Sequence, residues 1–402
     1  GRKMKEKLKE LIFNDEERII SQRRELHKHP ELAMEEHWTN DFIKSELESM
    51  GLKVKQLEPT GLVAEINPDS DGKTVLLRAD FDALPIEETN EFEWKSKNEG
   101  KSHACGHDTH TAMLLGAARA LNEIKDELPG TVRLLFQPGE ETGDGGKSVV
   151  RQGVTEGVDS GFAIHIFTNF LSGTAATGYG DVMAGNFFFE AKFKGRSAHG
   201  STPYDGHDAI MMLNTFINGA NAVISRKVDA LNSPIVLNFG IIEGGAVANA
   251  VASDAKIKGS FRFFSNEWAE KVLEELKTIA DLAAKMYGGT AEFSSNQGAG
   301  PVLNEEKSTD LSVKVAKDIF GEDKVSTDMK VAGSEDFGFL LAGFEGHEGM
   351  PGTYMCLGAR DPENEKTHAL NHYQDFNPDE NAFKYGSLLL ARYAYEFLTE
   401  DK

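Results

Sequence analysis

The chain has 402 residues, of which 40% are hydrophobic and 27% charged, a composition typical of a globular protein with enough apolar material for a core. The 65 acidic residues outnumber the 43 basic residues, and the net charge of −22 argues against nucleic acid or anionic membranes as partners. No apolar run is long enough for a membrane span, and the first residues lack the apolar core of a signal peptide. The two cysteines, Cys105 and Cys356, are too few to stabilise a chain of this length by disulfide bonds. We therefore expect a reducing compartment, the cytoplasm.

The first part of the sequence alternates helices with short apolar strands. Helices are predicted on either side of Pro30, within residues 16–50, and again at residues 109–122. Predicted strands at residues 74–77, 131–136 and 162–164 are each followed by polar, acidic or glycine-rich residues. Continuous apolar strands alternating with helices indicate a mostly parallel sheet flanked by helices, in which functional residues gather beyond the carboxyl ends of the strands.

The pattern changes near Ala184, which suggests an inserted domain. The elements predicted from there have the order β-α-β-β-α-β, which is typical of a ferredoxin-like α+β domain. After about Gly300 the first pattern returns, with a helix, a strand and a final helix from about Glu380. We therefore expect an α/β domain made of residues 1–183 and 299–402, interrupted by an inserted domain of residues 184–298.

The segment from His103 to His110 holds three imidazoles, one thiol and one carboxylate within eight positions. Cys105 and His107 can bind one divalent ion through sulfur and nitrogen. Asp108 can orient a metal-binding imidazole without itself contacting the ion. The alternative is a loop of surface histidines with a chance cysteine, which gives the thiol no role.

Further candidate residues follow the predicted strands. Glu140 and Glu141 come directly after one strand, and neighbouring carboxylates can divide two tasks, one binding metal and the other acting as a base. His165 ends another strand, and His372 precedes the last helix. Five candidate ligands at the ends of one sheet exceed what one tetrahedral zinc takes, so we expect two divalent ions with a bridging ligand: Cys105, His107, Glu141, His165 and His372.

Motifs for other chemistries are broken or absent. Residues 143–148 end in Gly-Lys-Ser, but the first glycine of a phosphate-binding loop is replaced by Glu141. The sequence contains neither a nucleophile elbow nor a dinucleotide-binding fingerprint.

The series of motifs resembles the M20 metallopeptidases, in the amidohydrolase subgroup that includes hippurate hydrolases, N-acyl-amino-acid deacylases, auxin-conjugate hydrolases and aminobenzoyl-glutamate hydrolases. The matching motifs extend over nearly the whole chain: Arg23–His27, His29–Leu32, Arg78–Pro85, His103–His110, Gln137–Glu141, Ala198–Gly200, Gly244–Asn249, Ser334–Phe337 and His372.

This resemblance implies a catalytic domain with two divalent metal ions per subunit and an inserted lid that also forms a homodimer or a higher homo-oligomer. By motif, the family's metal ligands match Cys105, His107, Glu141, His165 and His372. Glu140 matches its general base. His199 and Asn249 match lid residues that reach the substrate, often from the partner subunit, and Arg262 matches a lid arginine near the substrate carboxylate. Many relatives have a proline soon after the histidine at position 165, where this chain has Ile166-Phe167, so the substrate pocket is expected to differ.

We therefore expect a metal-dependent amidohydrolase that cleaves the amide bond of N-acyl amino acids or related small conjugates. The thiolate ligand favours zinc, with manganese, cobalt or nickel as alternatives. Two other functions stay open: a dipeptidase or aminoacyl peptidase of the same fold acting on short peptides, and a non-catalytic metal-binding scaffold. The presence of Glu140 argues against the scaffold.

Overall fold

The computed structural model describes residues 1–331 and 333–400. Within these ranges the helices are α1 (Arg2–Asn14), α2 (Glu16–His27), α3 (His37–Ser49), α4 (His107–Glu123), α5 (Asp144–Arg151), α6 (Ala209–Lys227), α7 (Asn266–Met286), α8 (Glu306–Phe320), α9 (Phe337–Ala342) and α10 (Phe383–Thr399). The strands are β1 (Val54–Gln56), β2 (Leu62–Ile66), β3 (Thr74–Asp80), β4 (Thr131–Gln137), β5 (Ser160–Leu171), β6 (Ala175–Ala176), β7 (Gly180–Met183), β8 (Gly185–Lys194), β9 (Val236–Gly244), β10 (Asp254–Phe263), β11 (Thr290–Ala299), β12 (Val302–Asn304), β13 (Val325–Ser326) and β14 (Gly352–Arg360).

The chain forms two compact units. The larger unit contains Gly1–Val182, Val302–Val331 and the chain from Glu335 onward. The inserted unit contains Met183–Pro301 together with Gly333 and Ser334.

The larger unit is built around a sheet with the strand order β1-β2-β4-β3-β5-β14-β6-β13. Its central pairs, β4 with β3, β3 with β5 and β5 with β14, are parallel. Successive residues of these strands are buried because both faces of the sheet are covered, which explains their continuous apolar sequences. Leu77 of β3, Leu115 of α4 and Leu389 of α10 are fully buried in one common apolar core.

The carboxyl ends of the parallel strands lie along one edge of this sheet. There β3 ends at Asp80, level with Gln137 at the end of β4, and β5 carries His165 opposite Cys356 of β14. Chain segments leaving these strands therefore place their polar side chains at a common edge.

The inserted unit has the element order β8-α6-β9-β10-α7-β11, and its antiparallel sheet has the strand order β11-β8-β10-β9. Alternate residues of β8, including Phe189 and Phe193, are buried with Phe216 of α6 and Leu276 of α7 in a separate apolar core. The helices thus cover one face of the sheet, as the alternation of apolar residues requires.

The predicted fold class is confirmed: a mostly parallel sheet flanked by helices accompanies a unit with the ferredoxin-like β-α-β-β-α-β order. The structure adds three helices that we did not predict, α1, α5 and α9. No helix in the described part of the chain is long and apolar enough to cross a membrane.

Candidate metal centre

The segment Cys105–His107 turns sharply between two potential ligands. Gly106 has a φ of 84°, a left-handed conformation that glycine adopts without strain. A Cβ at this position would also lie 2.5 Å from Cγ2 of Ile166. Glycine is therefore required here, and it allows α4 to begin at His107 directly after the turn.

His107 is fully buried, and a hydrogen bond to Asp82 fixes the orientation of its ring. The Nδ1 atom of His107 lies 2.9 Å from Oδ1 of Asp82, so Nδ1 carries a proton and donates it to the carboxylate. The Nε2 atom has no hydrogen-bond partner among the described residues. Because Nδ1 is engaged with Asp82, Nε2 is the ring nitrogen that can bind a metal ion once it has lost its proton.

Asp82 also fixes the segment after β4. Its second oxygen, Oδ2, accepts a hydrogen bond of 2.9 Å from the backbone N–H of Glu141. One carboxylate after β3 therefore sets the positions of both His107 and Glu141.

The two neighbouring glutamates have different surroundings. Glu140 Oε1 and Glu141 Oε1 each lie 3.5 Å from Nε2 of His107, and Glu141 Oε1 is also 3.5 Å from Nε2 of His372. Burial, together with the charges of Glu335 and Glu141, raises the pKa of Glu140 well above its ordinary value. Burial alone would raise the pKa of Glu141, but the neighbouring imidazoles of His372 and His107 outweigh it and lower the pKa.

His165 and Cys105 approach each other from β5 and from the turn before α4. Nδ1 of His165 donates to the carbonyl oxygen of Ile166 at 2.9 Å, which leaves Nε2 unprotonated, 3.5 Å from Sγ of Cys105. Burial, followed by the charge of Glu141, raises the pKa of Cys105 well above its ordinary value. In the absence of metal Cys105 is thus a thiol, and metal binding requires loss of its proton.

The loop containing His372 packs against the Cys105 turn. The backbone N–H of His372 donates to the carbonyl oxygen of Ala104 at 2.7 Å, and the side-chain amide of Asn371 donates to the carbonyl oxygen of Ile166 at 3.0 Å. His372 itself has a φ of 74°, and its side chain is 52% exposed. The site is therefore open to solvent on the side of His372.

The five predicted ligands form two overlapping groups whose donor atoms lie within 4.8 Å of one another. One group is Cys105, His107 and His165, and the other is Cys105, Glu141 and His372. Cys105 is common to both, and Oε1 of Glu141, like Nε2 of His107, is buried without a hydrogen-bond partner in the described residues. Sulfur, imidazole and carboxylate donors in this arrangement fit two divalent ions with a shared ligand.

A group of buried charged residues that we did not predict as part of the site lies next to the candidate ligand His107. Arg78 is 1% exposed and donates to Glu335 at 2.9 Å and to Asp336 at 2.8 Å. It also lies 3.4 Å from Asp80. The sequence signal was available, since Arg78 and Asp80 follow the predicted strand 74–77, but the positions of their partners Glu335 and Asp336 depend on the tertiary fold.

The remaining predicted site residues belong to the inserted unit. His199 and Asn249 lie on neighbouring loops, where the N–H of Gly200 donates to the carbonyl oxygen of Asn249 at 2.7 Å. The N–H of Ser201 donates to Nδ1 of His199 at 3.1 Å, so the exposed His199 carries its ring proton on Nε2. Arg262, on β10, donates to the hydroxyl of Ser334 at 3.1 Å.

The chain is similar to known proteins over nearly its whole length. A family model described as Peptidase family M20/M25/M40 matches residues 76–396. The chain is 37% identical to thermostable carboxypeptidase 2 of Saccharolobus solfataricus, over 98% of each protein. It is 34% identical to the N-acetyl-L-cysteine deacetylase of Bacillus subtilis, over 96% of this chain and 90% of the relative.

A solved structure has a similar fold. It is a dinuclear metal-binding M20 peptidase of Bacillus subtilis, which superimposes with a TM-score of 0.78 and 30% identity over 96% of this chain and 98% of the other. The predicted family is thereby confirmed. The chain belongs to peptidase family M20/M25/M40 and is a hydrolase that acts on carbon–nitrogen bonds.

Proposed function

We propose that this hydrolase cleaves the amide bond of N-acyl amino acids, using two divalent ions and Glu140. The observation that carries the proposal is the different surroundings of two adjacent carboxylates: Glu141 lies with His372 and Cys105, whereas Glu140 lies beside the same centre with a raised pKa. Relatives named for deacetylation of N-acetylcysteine and for hydrolysis of N-acyl-L-amino acids support this substrate class.

The ligands in this proposal are the five that the sequence predicted, Cys105, His107, Glu141, His165 and His372. A thiolate among imidazoles and a carboxylate favours zinc, and manganese, cobalt and nickel are the alternatives to test. When bound, the ions supply positive charge that makes water acidic near neutral pH and stabilises negative charge on the substrate carbonyl oxygen.

Glu140 acts first as the general base and then as the general acid in this reaction. Its carboxylate accepts a proton from the attacking water and returns that proton to the nitrogen of the leaving amine. Asp82 keeps His107 and the backbone of Glu141 in position meanwhile, since it is hydrogen-bonded to both.

A second candidate function is removal of the last residue of short peptides, because the thermostable carboxypeptidase is slightly more similar to this chain, at 37% identity, than the deacetylase, at 34%. A hydrolysis screen separates the two. The purified protein, loaded in turn with each of the four metals, is incubated with N-acetyl, N-benzoyl and indoleacetyl amino acids and with dipeptides and tripeptides, and the products are detected by mass spectrometry. Faster release of amino acids from the N-acyl compounds supports our proposal, and faster cleavage of peptides would replace it with the peptidase function.

The inserted unit, in this proposal, is a lid that forms a homodimer. Strand β9 lies at the edge of its sheet, and Val236, Ile241 and Ile242 on this strand are 66%, 49% and 57% exposed. An edge strand with exposed apolar residues favours pairing with a second copy. The proton on Nε2 of His199 suits it to donate a hydrogen bond to the substrate oxygen, and Asn249 and Arg262 would bind the substrate beside it.

A mixing experiment tests whether His199 acts on the partner subunit. The inactive variants Glu140→Gln and His199→Ala are combined under conditions in which subunit exchange is verified by mass spectrometry. If His199 acts across the dimer, mixed dimers contain one site with both native residues, and activity rises toward about a quarter of wild type. Activity that stays at the level of the two parents would show that His199 acts within its own chain or has no catalytic role.

The two free cysteines suit a reducing compartment such as the cytoplasm, and we propose this location for the enzyme.

A further inference from the structure

His110 belongs to the histidine-rich segment but is not among the proposed ligands, and both of its ring nitrogens are hydrogen-bonded. Its Nδ1 lies 2.6 Å from Oδ1 of Asp80, and its Nε2 lies 2.9 Å from the backbone nitrogen of Ile166. The imidazole is 2% exposed. A backbone N–H can only donate, so Nε2 is the acceptor and the ring proton is on Nδ1, where it is donated to Asp80.

This side chain extends the connection between two strands of the large sheet. The ladder between β3 and β5 ends at the pair Arg78–Ala163, although β3 continues to Asp80 and β5 continues through Ile166. Beyond that pair, His110 supplies the acceptor for the N–H of Ile166 and is itself anchored to the last residue of β3. An unsatisfied buried N–H would be costly, so the imidazole stabilises β5 in the conformation observed here.

Ile166 in turn orients a proposed metal ligand. The carbonyl oxygen of Ile166 accepts the Nδ1 proton of His165 at 2.9 Å, which leaves Nε2 of His165 directed toward Cys105. The N–H and the carbonyl of Ile166 lie on either side of its Cα atom, so hydrogen bonds to both restrain the backbone at this residue. The rings of His110 and His165 also touch edge to face, with centroids 4.5 Å apart.

We propose that His110 is a positioning residue that holds His165 in its metal-binding orientation through the backbone of Ile166, with Asp80 fixing the tautomer of His110. The inference rests on the proposed role of His165 as a ligand. The competing assignment is that His110 binds a metal itself, since Asp80, His107 and His110 also form a group with donor atoms within 4.8 Å. If His110 only positions His165, variants of His110 still bind both ions when metal is in excess. If His110 is itself a ligand, these variants lose one ion.

Two substitutions separate the hydrogen bonds of His110. In His110→Gln the amide oxygen reaches the position of Nε2 and can still accept from Ile166. In His110→Asn the amide reaches the position of Nδ1 and can contact Asp80 but not Ile166. His103→Asn is the matched control, because His103 is a buried histidine of the same segment that has no hydrogen-bond partner within the described residues.

The first measurement uses metal-free protein and needs no activity: the hydrogen-exchange rate of the Ile166 amide. We expect exchange about tenfold faster in His110→Asn, the effect of losing one buried hydrogen bond, and a rate near wild type in His110→Gln and in His103→Asn. The second measurement is the binding and the number of zinc ions. We expect His110→Asn to bind both ions at saturation but about 10–100-fold more weakly, as for other residues that orient a ligand, with a changed absorption spectrum when cobalt replaces zinc.

Several results would overturn the proposal. One is Ile166 protection and zinc affinity in His110→Asn equal to those of wild type. Another is the loss of one whole ion in both variants, which would make His110 a ligand. If His110→Asn does not fold, the test rests on His110→Gln, and exchange or zinc affinity far from wild type in that variant would equally refute the idea. Absence of turnover with every N-acyl amino acid would refute the proposed substrate class without affecting these measurements.

Discussion

Glu36, a buried carboxylate beside the candidate centre, makes the stability of the metal-free protein depend on pH. It is 0% exposed, and its oxygens accept hydrogen bonds from the N–H of Gly139 at 2.9 Å and from the hydroxyl of Thr60 at 3.2 Å. Burial, together with the negative charge of Asp82, raises its pKa from 4.5 to about 8. Because this acid has a higher pKa in the folded state than in the unfolded state, its ionisation opposes folding: the cost is absent below pH 4.5, grows as the pH rises, and is complete above about pH 8.

The variant Glu36→Gln tests whether ionisation of Glu36 opposes folding, because glutamine retains an acceptor for the N–H of Gly139 but cannot ionise. The difference between the two pKa values corresponds to at most about 5 kcal/mol, and we expect a measured effect of about 2–4 kcal/mol because folded proteins relax around a buried charge. At pH 5 the variant should be more stable than the wild type by less than about 1 kcal/mol, and at pH 8 by most of the full difference.

The assay is urea unfolding of the metal-free protein between pH 5 and pH 8, followed by the fluorescence of Trp38 and Trp94, both of which lie in the larger unit. Glu31→Gln is the control, because it makes the same substitution in the same segment, at a residue whose carboxylate accepts from the N–H of Thr39 at 2.8 Å, and keeps Glu36. If the stability of Glu36→Gln falls with pH as steeply as that of wild type, Glu36 is not the group responsible.

The proposed roles lead to three further expectations. Glu140→Gln should retain both ions and lose about 10²–10⁴-fold in turnover, whereas Glu141→Gln should lose metal, and the opposite metal contents would exchange the two roles. Cys105→Ala should bind less metal and lose turnover, while Cys356→Ala, at a buried thiol that contacts Met329, should keep both; full metal content in the first variant would remove the thiolate from the ligand set. Gly106→Ala should destabilise the fold by about 1–3 kcal/mol in urea unfolding, because φ is 84° there and a Cβ has no room; unchanged stability would show that the turn can relax.

The sequence identified candidate ligands that the structure brings together wherever these residues are close in sequence or follow apolar strands. Cys105 and His107 stand out because they are two positions apart around a glycine, and Glu141 and His165 because each follows an apolar stretch. These local features also predicted the parallel sheet, since its strands are buried on both faces and so have continuous apolar sequences.

The supporting residues were harder to predict because their partners are remote in the chain. His110 was visible in the histidine-rich segment, but its function depends on the backbone of Ile166, which a sequence pattern does not reveal. Glu36 similarly contacts Gly139 from a different part of the chain. The helix Asp144–Arg151 was also missed, because its glycine-rich start has low helix propensity and its stability comes from burial of Val149 and Val150.

The order of the proposed ligands along the chain has a consequence for how the enzyme is made. Cys105, His107, Glu141 and His165 are all synthesised before the inserted unit, whereas His372 follows it, together with β14, the central strand beside β5. During translation the inserted unit, a continuous segment with its own core, can fold while the larger sheet still lacks that strand. The nascent chain therefore carries an incomplete set of the proposed ligands for much of its synthesis, and we expect stable uptake of metal only after the last part of the larger unit has been made.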